Sequence, residues 1–216
     1  MKSVIAIDGP AGSGKGTIAK LVGKKLGYMY IDSGAIYRCV ALLTIRNGID
    51  INDEEKLCDI AKKMNVEFID NKVFLDLEDV GVDIRSKEVS DIVSLVSKHK
   101  KLRDIIIEIE RNYAKDKDII MEGRDITTVV FPNAKYKFYL DADLNVRAKR
   151  RYEELIKRNI KITLEEVVDG ISKRDYNDTH KEVGALIRTD EQIYINTTDV
   201  EIEEVVNKII EVVRSE

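Results

Sequence analysis

The feature that most constrains this chain of 216 residues is a glycine-rich loop, GPAGSGKGT, at residues 9–17. The loop directly follows an apolar run at residues 4–7 and precedes a stretch of helical apolar spacing that ends at Gly27. A strand, a glycine-rich loop with a lysine and a helix, in this order, are the setting of a phosphate-binding loop. Backbone N–H groups of such a loop turn toward phosphate oxygens, and the helix N-terminus adds partial positive charge. The segment therefore predicts a nucleoside triphosphate site.

The residues around Lys15 refine this prediction. Lys15 is placed to reach the β and γ phosphates of a triphosphate. The strict form of the motif has serine or threonine directly after the lysine, whereas here Gly16 follows and the hydroxyl comes at Thr17. We assign Thr17 to magnesium. A dinucleotide-binding turn would need a third glycine where Thr17 stands, so the lysine favours a triphosphate.

Five short apolar runs predict the strands of the main sheet. They lie at residues 4–7, 28–31, 119–121, 136–140 and 193–195, and are rich in β-branched or aromatic residues. Segments of helical periodicity stand between and after them. Strands that alternate with helices indicate an α/β fold with a parallel sheet flanked by helices.

Two regions depart from this alternation. After a short helical stretch, residues 66–69, 73–77 and 80–84 read as three strands. Their connections are too short for parallel crossovers, so we predict a small antiparallel β insertion at about 51–84. Residues 145–174 are rich in arginine and lysine and contain a capping-box pattern that begins a further helix.

Polar residues follow two further predicted strands at the carboxyl edge of the sheet, where open α/β sheets bind ligands. Ser33 lies just after the second strand, and Arg38 lies about one helical turn further, able to reach back toward an anion. Glu122, Arg124 and Asp125 follow the third strand. We predict that Glu122 holds magnesium or its water, and that Arg124 and Asp125 offer a phosphate-binding guanidinium beside a hydrogen-bond acceptor.

A third group of charged residues comes later in the chain. Arg174, Asp178 and Lys181 stand at i, i+4 and i+7, so a helix would place them on one face. Such a trio is by itself more often an exposed charge cluster.

These motifs together resemble bacterial cytidylate kinases over nearly the whole chain. The resemblance rests on the loop at 9–17, on IDSGAIYR at 31–38, and on EGRD at 122–125 followed by TVVFP at 128–132. It implies a P-loop NTPase fold in one kinase domain, with a core at 1–50, 85–144 and 175–216, the β insertion at about 51–84 and an arginine-rich lid at about 145–174. It also implies a monomer that transfers the γ-phosphoryl group of ATP to CMP or dCMP.

The resemblance assigns roles to individual residues. ATP with Mg²⁺ would occupy Gly9, Pro10, Ala11, Gly12, Ser13, Gly14, Lys15, Gly16 and Thr17. CMP would meet Ser33, Arg38, Ser94, Arg103, Arg124, Asp125, Arg174, Asp178 and Lys181. Within this set, Arg38 and Arg124 would contact the acceptor phosphate. The cytosine would meet Ser94, Arg103 and Asp125, and the pentose would meet Arg174 and Asp178. Arg147 and Arg151 would be lid arginines that, with Lys15 and Arg124, act on the transferred group.

Some positions depart from the family pattern. Lys181 stands in place of an arginine and lacks its bidentate geometry. Glu122 replaces an aspartate, Thr127 replaces a glycine, and the segment 184–186 lacks a proline.

The overall composition limits the partners. The net charge of −4 argues against a general nucleic-acid binder. No window approaches the roughly 18 apolar residues of a membrane span, and the N-terminal residues lack the apolar region of a signal peptide. Cys39 and Cys58 lack metal or redox spacing and are expected to be buried thiols. We expect a cytoplasmic enzyme of small-molecule nucleotides that binds neither nucleic acid nor membrane.

Three alternatives remain open at this point. The chain could be a general nucleoside monophosphate kinase, a regulatory module that binds ATP without an acceptor site, or a kinase of a small non-nucleotide metabolite. The preferred acceptor nucleotide distinguishes a general nucleoside monophosphate kinase from a cytidylate kinase. The second would make Arg38, Arg124 and Asp125 mere surface charge.

Overall fold

A computed structural model describes residues 2–157 and 160–215. The strands are β1 (Val4–Asp8), β2 (Met29–Asp32), β3 (Val66–Ile69), β4 (Lys72–Leu75), β5 (Glu78–Asp79), β6 (Ile119–Gly123), β7 (Tyr136–Asp141) and β8 (Ile193–Asn196). The helices are α1 (Lys15–Leu26), α2 (Ser33–Arg46), α3 (Glu54–Lys63), α4 (Lys87–Val96), α5 (Lys100–Tyr113), α6 (Leu144–Lys157), α7 (Leu164–Thr179) and α8 (Ile202–Arg214). None of the helices in these two ranges is long and apolar enough to cross a membrane.

The main sheet has five parallel strands in the order β2-β6-β1-β7-β8, which confirms the predicted α/β architecture. Its central strand β1 is buried on both faces: Val4 and Ala6 join one apolar cluster, while Ile5 and Ile7 join the other. The order also explains why the three sequence motifs meet. Because β2, β6 and β1 are neighbours, the segments that follow them leave the same edge of the sheet side by side.

The insertion forms a separate three-stranded antiparallel sheet in the order β3-β4-β5, as predicted. Its two hairpin turns each carry two residues at positive φ, Asp70 with Asn71 and Asp76 with Leu77. That backbone is the type I′ pattern, whose twist matches the twist of the flanking strands.

The prediction of the third strand at 80–84 is wrong. The strand is Glu78–Asp79, and the chain then turns through a short 3₁₀ segment at Asp83–Arg85. Val80 and Ile84 are both fully buried, and the Ile84 amide donates to the Val80 carbonyl at 3.0 Å. The apolar run thus reflects one buried helical turn rather than a strand. The preceding strand β4 also ends at Leu75 instead of 77.

Helices α6 and α7 pack on each other through a small apolar cluster of Ala148, Val167 and Ile171. The predicted capping box is present, because the Thr163 hydroxyl accepts from the Glu166 amide at 3.2 Å while the Glu166 carboxylate accepts from the Thr163 amide at 2.8 Å. Residues 158 and 159 of the predicted lid lie outside the described residues.

Candidate active site

A large cleft of about 1670 Å³ opens at the carboxyl edge of the main sheet. It runs from the glycine-rich loop, past the starts of α1 and α2, to α4, α5 and α7. Most of the predicted site residues line it: Ala11, Gly12, Ser13, Gly14, Lys15, Gly16, Thr17, Ser33, Arg38, Ser94, Arg103, Glu122, Arg124, Asp125, Arg151, Arg174, Asp178 and Lys181. Gly9, Pro10 and Arg147 are not among the lining residues. The fold thus brings residues from distant parts of the sequence to one site.

The loop has the backbone that its glycines predict. Gly12 and Gly14 lie at φ of 78° and 85°, in the left-handed region that glycine adopts without strain. Lys15 is buried at the start of α1, where its Nζ donates to the Pro10 carbonyl at 3.1 Å and lies 3.7 Å from Glu122 Oε2. Burial and the nearby Arg124 lower the pKa of Lys15 to about 8, with Glu122 opposing the shift. Lys15 has one hydrogen bond to a carbonyl and one long ion pair, so its ammonium group can exchange these partners for an incoming anion.

The structure explains two departures from the usual motifs together. A side-chain Cβ built at Gly16 would lie only 3.1 Å from Glu122 Oε1, so the absence of a side chain at Gly16 makes room for the longer carboxylate. The Tyr30 hydroxyl donates to the same oxygen at 3.2 Å. Burial raises the pKa of Glu122, and Lys15 opposes that shift. Thr17 is exposed at the lip of the cleft.

At the far end of the cleft, Arg103 and Asp125 form a buried ion pair. The Arg103 guanidinium also lies 5.5 Å from the centroid of the Tyr37 ring, within reach of a cation–π contact. Burial raises the pKa of Asp125, while Arg103 and Lys181 hold it down. The backbone at Gly184 passes so close that a Cβ there would overlap both members of the pair.

A second charge cluster is centred on Asp178. Its Oδ2 accepts from Arg124 Nε at 2.7 Å and lies 3.7 Å from Arg174 Nε, while its Oδ1 lies 3.1 Å from Lys181 Nζ. Although burial alone would raise it, Arg124, Lys181 and Arg174 lower the pKa of Asp178 to about 2. The predicted common helix face is wrong for Lys181, because α7 ends at Thr179. The chain turns after the helix and brings the lysine back to the carboxylate.

Three predicted acceptor-site residues come from other helices. Arg38 Nη1 donates to the Ile84 carbonyl at 3.1 Å and to Ser90 Oγ at 3.0 Å, which ties α2 to the insertion and to α4. Ser94 is exposed to the cleft on α4. The Ser33 hydroxyl donates to Glu110 Oε1 at 2.5 Å.

The two predicted lid arginines differ in position. Arg151 is 43% exposed, lines the cleft and pairs with Glu154 at 2.9 Å. Arg147 is buried, and its guanidinium donates to the carbonyls of Ala142 and Ala11 at 2.9 and 3.0 Å and to Asp175 at 2.6 Å. In this state Arg147 connects the glycine-rich loop to α7.

The structure adds residues that the sequence reasoning missed. Asp8 is fully buried and accepts from the amides of Ile126 and Thr127 at 2.8 and 2.9 Å. It thereby fixes the π-helical turn Ile126–Val130 that directly follows Asp125. The hydroxyl of Thr127, where the family pattern has glycine, donates to the same carboxylate at 2.5 Å. An acidic residue that ends the strand before the loop is the signal by which Asp8 could have been found.

Comparison with solved structures establishes the class of fold. A shikimate kinase from Bacteroides thetaiotaomicron superposes with a TM-score of 0.51 over 98% of each chain, at 14% sequence identity. At that identity the likeness concerns the fold alone. The chain has the P-loop kinase fold.

Sequence comparison then gives the family. The cytidylate kinase family model matches residues 5–215. The chain is 44% identical to a cytidylate kinase of Clostridioides difficile (strain 630) over 207 residues, which are 96% of each chain. It is also 44% identical to the cytidylate kinase of Caldanaerobacter subterraneus subsp. tengcongensis over 210 residues, 97% of this chain and 94% of that protein. The chain therefore belongs to the cytidylate kinase family, which confirms the resemblance predicted from its three motifs.

Proposed function

We propose that this protein transfers the γ-phosphoryl group of ATP to CMP or dCMP and releases ADP with CDP or dCDP. The observation that carries the proposal is the continuous cleft from Lys15 to the buried Arg103–Asp125 pair. Its two ends differ in chemistry, because one offers backbone N–H groups and a lysine, whereas the other offers guanidinium and carboxylate groups. The first suits a triphosphate, and the second suits a monophosphate that carries a polar base.

In the donor half, ATP would occupy the loop from Gly9 to Thr17, with Lys15 on its terminal phosphates. Mg²⁺ would be held by the Thr17 hydroxyl and by Glu122, directly or through water. Within residues 2–157 and 160–215, no cluster of three His, Cys, Asp or Glu residues could hold a metal ion alone. The ion would thus need phosphate oxygens as further ligands, which is how Mg²⁺ usually binds with nucleotides. When bound, it supplies positive charge to the phosphates.

In the acceptor half, each group has a proposed partner. Arg38 and Arg124 would contact the phosphate of CMP, with Ser33 beside it. Ser94, Arg103 and Asp125 would contact the cytosine. The pentose would meet Arg174 and Asp178, with Lys181 next to them. The contacts of Asp178 with Arg124, Arg174 and Lys181 hold three cations at the place where a dianionic acceptor would arrive.

In the proposed reaction, the side chains of the cleft align the reacting groups and neutralise negative charge. In phosphoryl transfer the acceptor oxygen, phosphorus and leaving oxygen must lie in line, and negative charge on the moving group must be balanced. Lys15, Arg124 and the lid arginine Arg151 would balance it. Arg147 would join them on closure of α6 and α7 by exchanging Asp175 for phosphate oxygens. Closure would also exclude water, which otherwise competes as acceptor.

We propose further that the chain works as a monomeric cytoplasmic enzyme. Its kinase core would comprise 1–50, 85–144 and 175–216, with a monophosphate-binding insertion at about 51–84 and a lid at about 145–174. Light scattering at assay concentration checks the monomer, and a dimer mass would contradict it.

A coupled assay with CMP, dCMP, UMP and AMP as acceptors tests the activity. We expect CMP and dCMP to be the best acceptors, and we expect chelation of Mg²⁺ to stop turnover. Should AMP be much the best acceptor, a general nucleoside monophosphate kinase would replace this proposal.

Substitution Arg38→Ala tests the acceptor site. We expect a large loss of turnover with ATP binding retained, because Arg38 lies in the acceptor half of the cleft. Arg46→Ala is the matched control, since Arg46 is on the same helix but pairs with Glu78 and Asp83 on the surface. Unchanged turnover in Arg38→Ala would contradict the proposed acceptor geometry.

A further inference from the structure

One buried acidic residue, Glu110, lies beside the acceptor site without a role in the reaction described above. It is only 1% exposed and stands on α5, seven residues after Arg103. Seven residues are about two helical turns, so the two side chains share one face of the helix. That face meets Ser33, whose hydroxyl donates to Glu110, and Asp125, which pairs with Arg103. Helix α5 therefore supplies two contacts to the acceptor end of the cleft.

Two guanidinium groups lie near Glu110, but the hydrogen bonds described for them go to other groups. Arg103 pairs through Nη2 with Asp125 and leaves its buried Nε without a hydrogen-bond partner among the described residues, while Arg111 donates its Nε and Nη2 to the carbonyls of Val130 and Val129 at 2.8 and 2.9 Å. The other titratable groups that face Glu110 are Asp125, beyond β6, and the phenols Tyr37 on α2 and Tyr113 on α5. Burial raises the pKa of Glu110 to about 8, and the charge of Asp125 adds to this shift. The hydrogen bond from Ser33 and the charges of Arg103 and Arg111 act in the opposite direction. Burial thus favours the protonated, neutral form of Glu110.

We infer that Glu110 is a positioning residue of the acceptor site, which holds Ser33 as a neutral carboxylic acid and weakens CMP binding when it loses its proton. The inference rests on the proposed function, because it assumes that CMP occupies the Ser33 and Arg103 end of the cleft. An ionised Glu110 would place a second buried negative charge beside Asp125. That charge would compete for Arg103 and would repel the dianionic phosphate of the acceptor.

The test is the pH profile of KM for CMP, measured at saturating ATP in the wild type and in Glu110→Gln. The glutamine keeps the shape and neutrality of the protonated acid but cannot ionise. If only the protonated form binds CMP, a group that titrates near pH 8 raises KM about tenfold between pH 7 and 9. We expect this rise in the wild type, a rise below about twofold in Glu110→Gln, and kcat values that stay within about twofold of each other.

Glu108→Gln is the matched control, because Glu108 is exposed on the same helix. We expect its profile to follow the wild type. The titrations of Lys15 and of the substrates are common to all three proteins, so the difference between profiles reports Glu110. A tenfold rise that persists in Glu110→Gln would overturn the inference. Absence of CDP formation by the wild type at pH 7 would instead contradict the proposed function.

A second measurement keeps the inference testable if Glu110→Gln fails to fold. CMP binding is titrated by calorimetry at pH 8 in two buffers of different ionisation enthalpy, with the Lys15→Met protein, because the pKa of Lys15 in the cleft is also about 8. We expect uptake of about half a proton per CMP bound, since half of Glu110 is ionised there before binding. Binding without proton uptake would overturn the inference.

Discussion

The proposed donor and acceptor halves of the cleft are built in opposite ways. The donor half is one contiguous loop, residues 9–17, whose shape comes from backbone conformation. The acceptor half is assembled from side chains of α2, α4, α5, α7 and the segment after β6. This difference indicates which substitutions should damage each half of the cleft. A contiguous loop depends on local backbone sterics, whereas an assembled site depends on buried charges that balance one another.

The largest expected effect concerns the acceptor half. Arg103→Met leaves Asp125 buried without its main partner, and breaking a buried ion pair costs about 3–5 kcal/mol of the free energy of unfolding. The double variant Arg103→Met, Asp125→Leu removes both charges, so we expect it to regain most of that stability while still failing to bind CMP. Urea unfolding and CMP calorimetry measure the two quantities. A single variant that loses less than about 1 kcal/mol would show that the pair is solvated.

The next effect concerns the donor half. Lys15→Met removes the only side-chain cation that the loop itself contributes. Loss of one pre-placed charge-stabilising donor typically lowers kcat by about 10²–10³-fold. We expect that loss together with nearly unchanged CMP affinity, since Arg103 and Asp125, which are proposed to hold the cytosine, lie at the far end of the cleft from Lys15. Steady-state rates measure the loss of kcat, and calorimetry measures CMP affinity. If CMP affinity fell as much as kcat, the two halves of the cleft would not act separately.

The smallest expected effects come from alanine substitutions at two glycines, Gly9 in the loop and Gly184 beside the Arg103–Asp125 pair. A Cβ at Gly9 would lie 2.0 Å from the Leu140 carbonyl oxygen, which belongs to the sheet backbone and cannot move aside. A Cβ at Gly184 would instead meet the side chains of Arg103 and Asp125. Overpacking typically costs about 1–3 kcal/mol, so we expect Gly9→Ala to lower the unfolding free energy by at least that amount.

For Gly184→Ala we also expect a loss of stability, because alanine is strained at the φ of 68° found there, together with a raised KM for CMP at unchanged KM for ATP, because the Arg103 and Asp125 side chains would have to shift. Thermal unfolding and the two KM values provide the comparison. If Gly184→Ala raised the KM for ATP as much as that for CMP, the acceptor half would not be separable in this way.

The sequence predicted most of the main fold correctly, because each strand is a short apolar run and each intervening helix has a clear apolar period. It failed at residues 80–84, where Val80 and Ile84 point inward one helical turn apart. A five-residue segment with apolar residues at 80, 82 and 84 fits a strand or a single turn equally well, and only the packing partners distinguish them. The tight turn at Asp76 and Leu77 was missed for a related reason, since leucine at positive φ has no local sequence signal.

For the site, the sequence by itself determined the phosphate-binding loop and the placement of three motifs after parallel strands, because loop geometry follows from neighbouring glycines and strand ends. Only the tertiary structure decided the charge partners. Ser33 and Glu110 are 77 residues apart, and Arg124 and Asp178 are 54 residues apart. The physical reason is the distance along the chain over which each interaction acts. Backbone sterics act between neighbours in sequence. Buried charges and hydroxyls need partners, and these come from whichever elements the fold brings together.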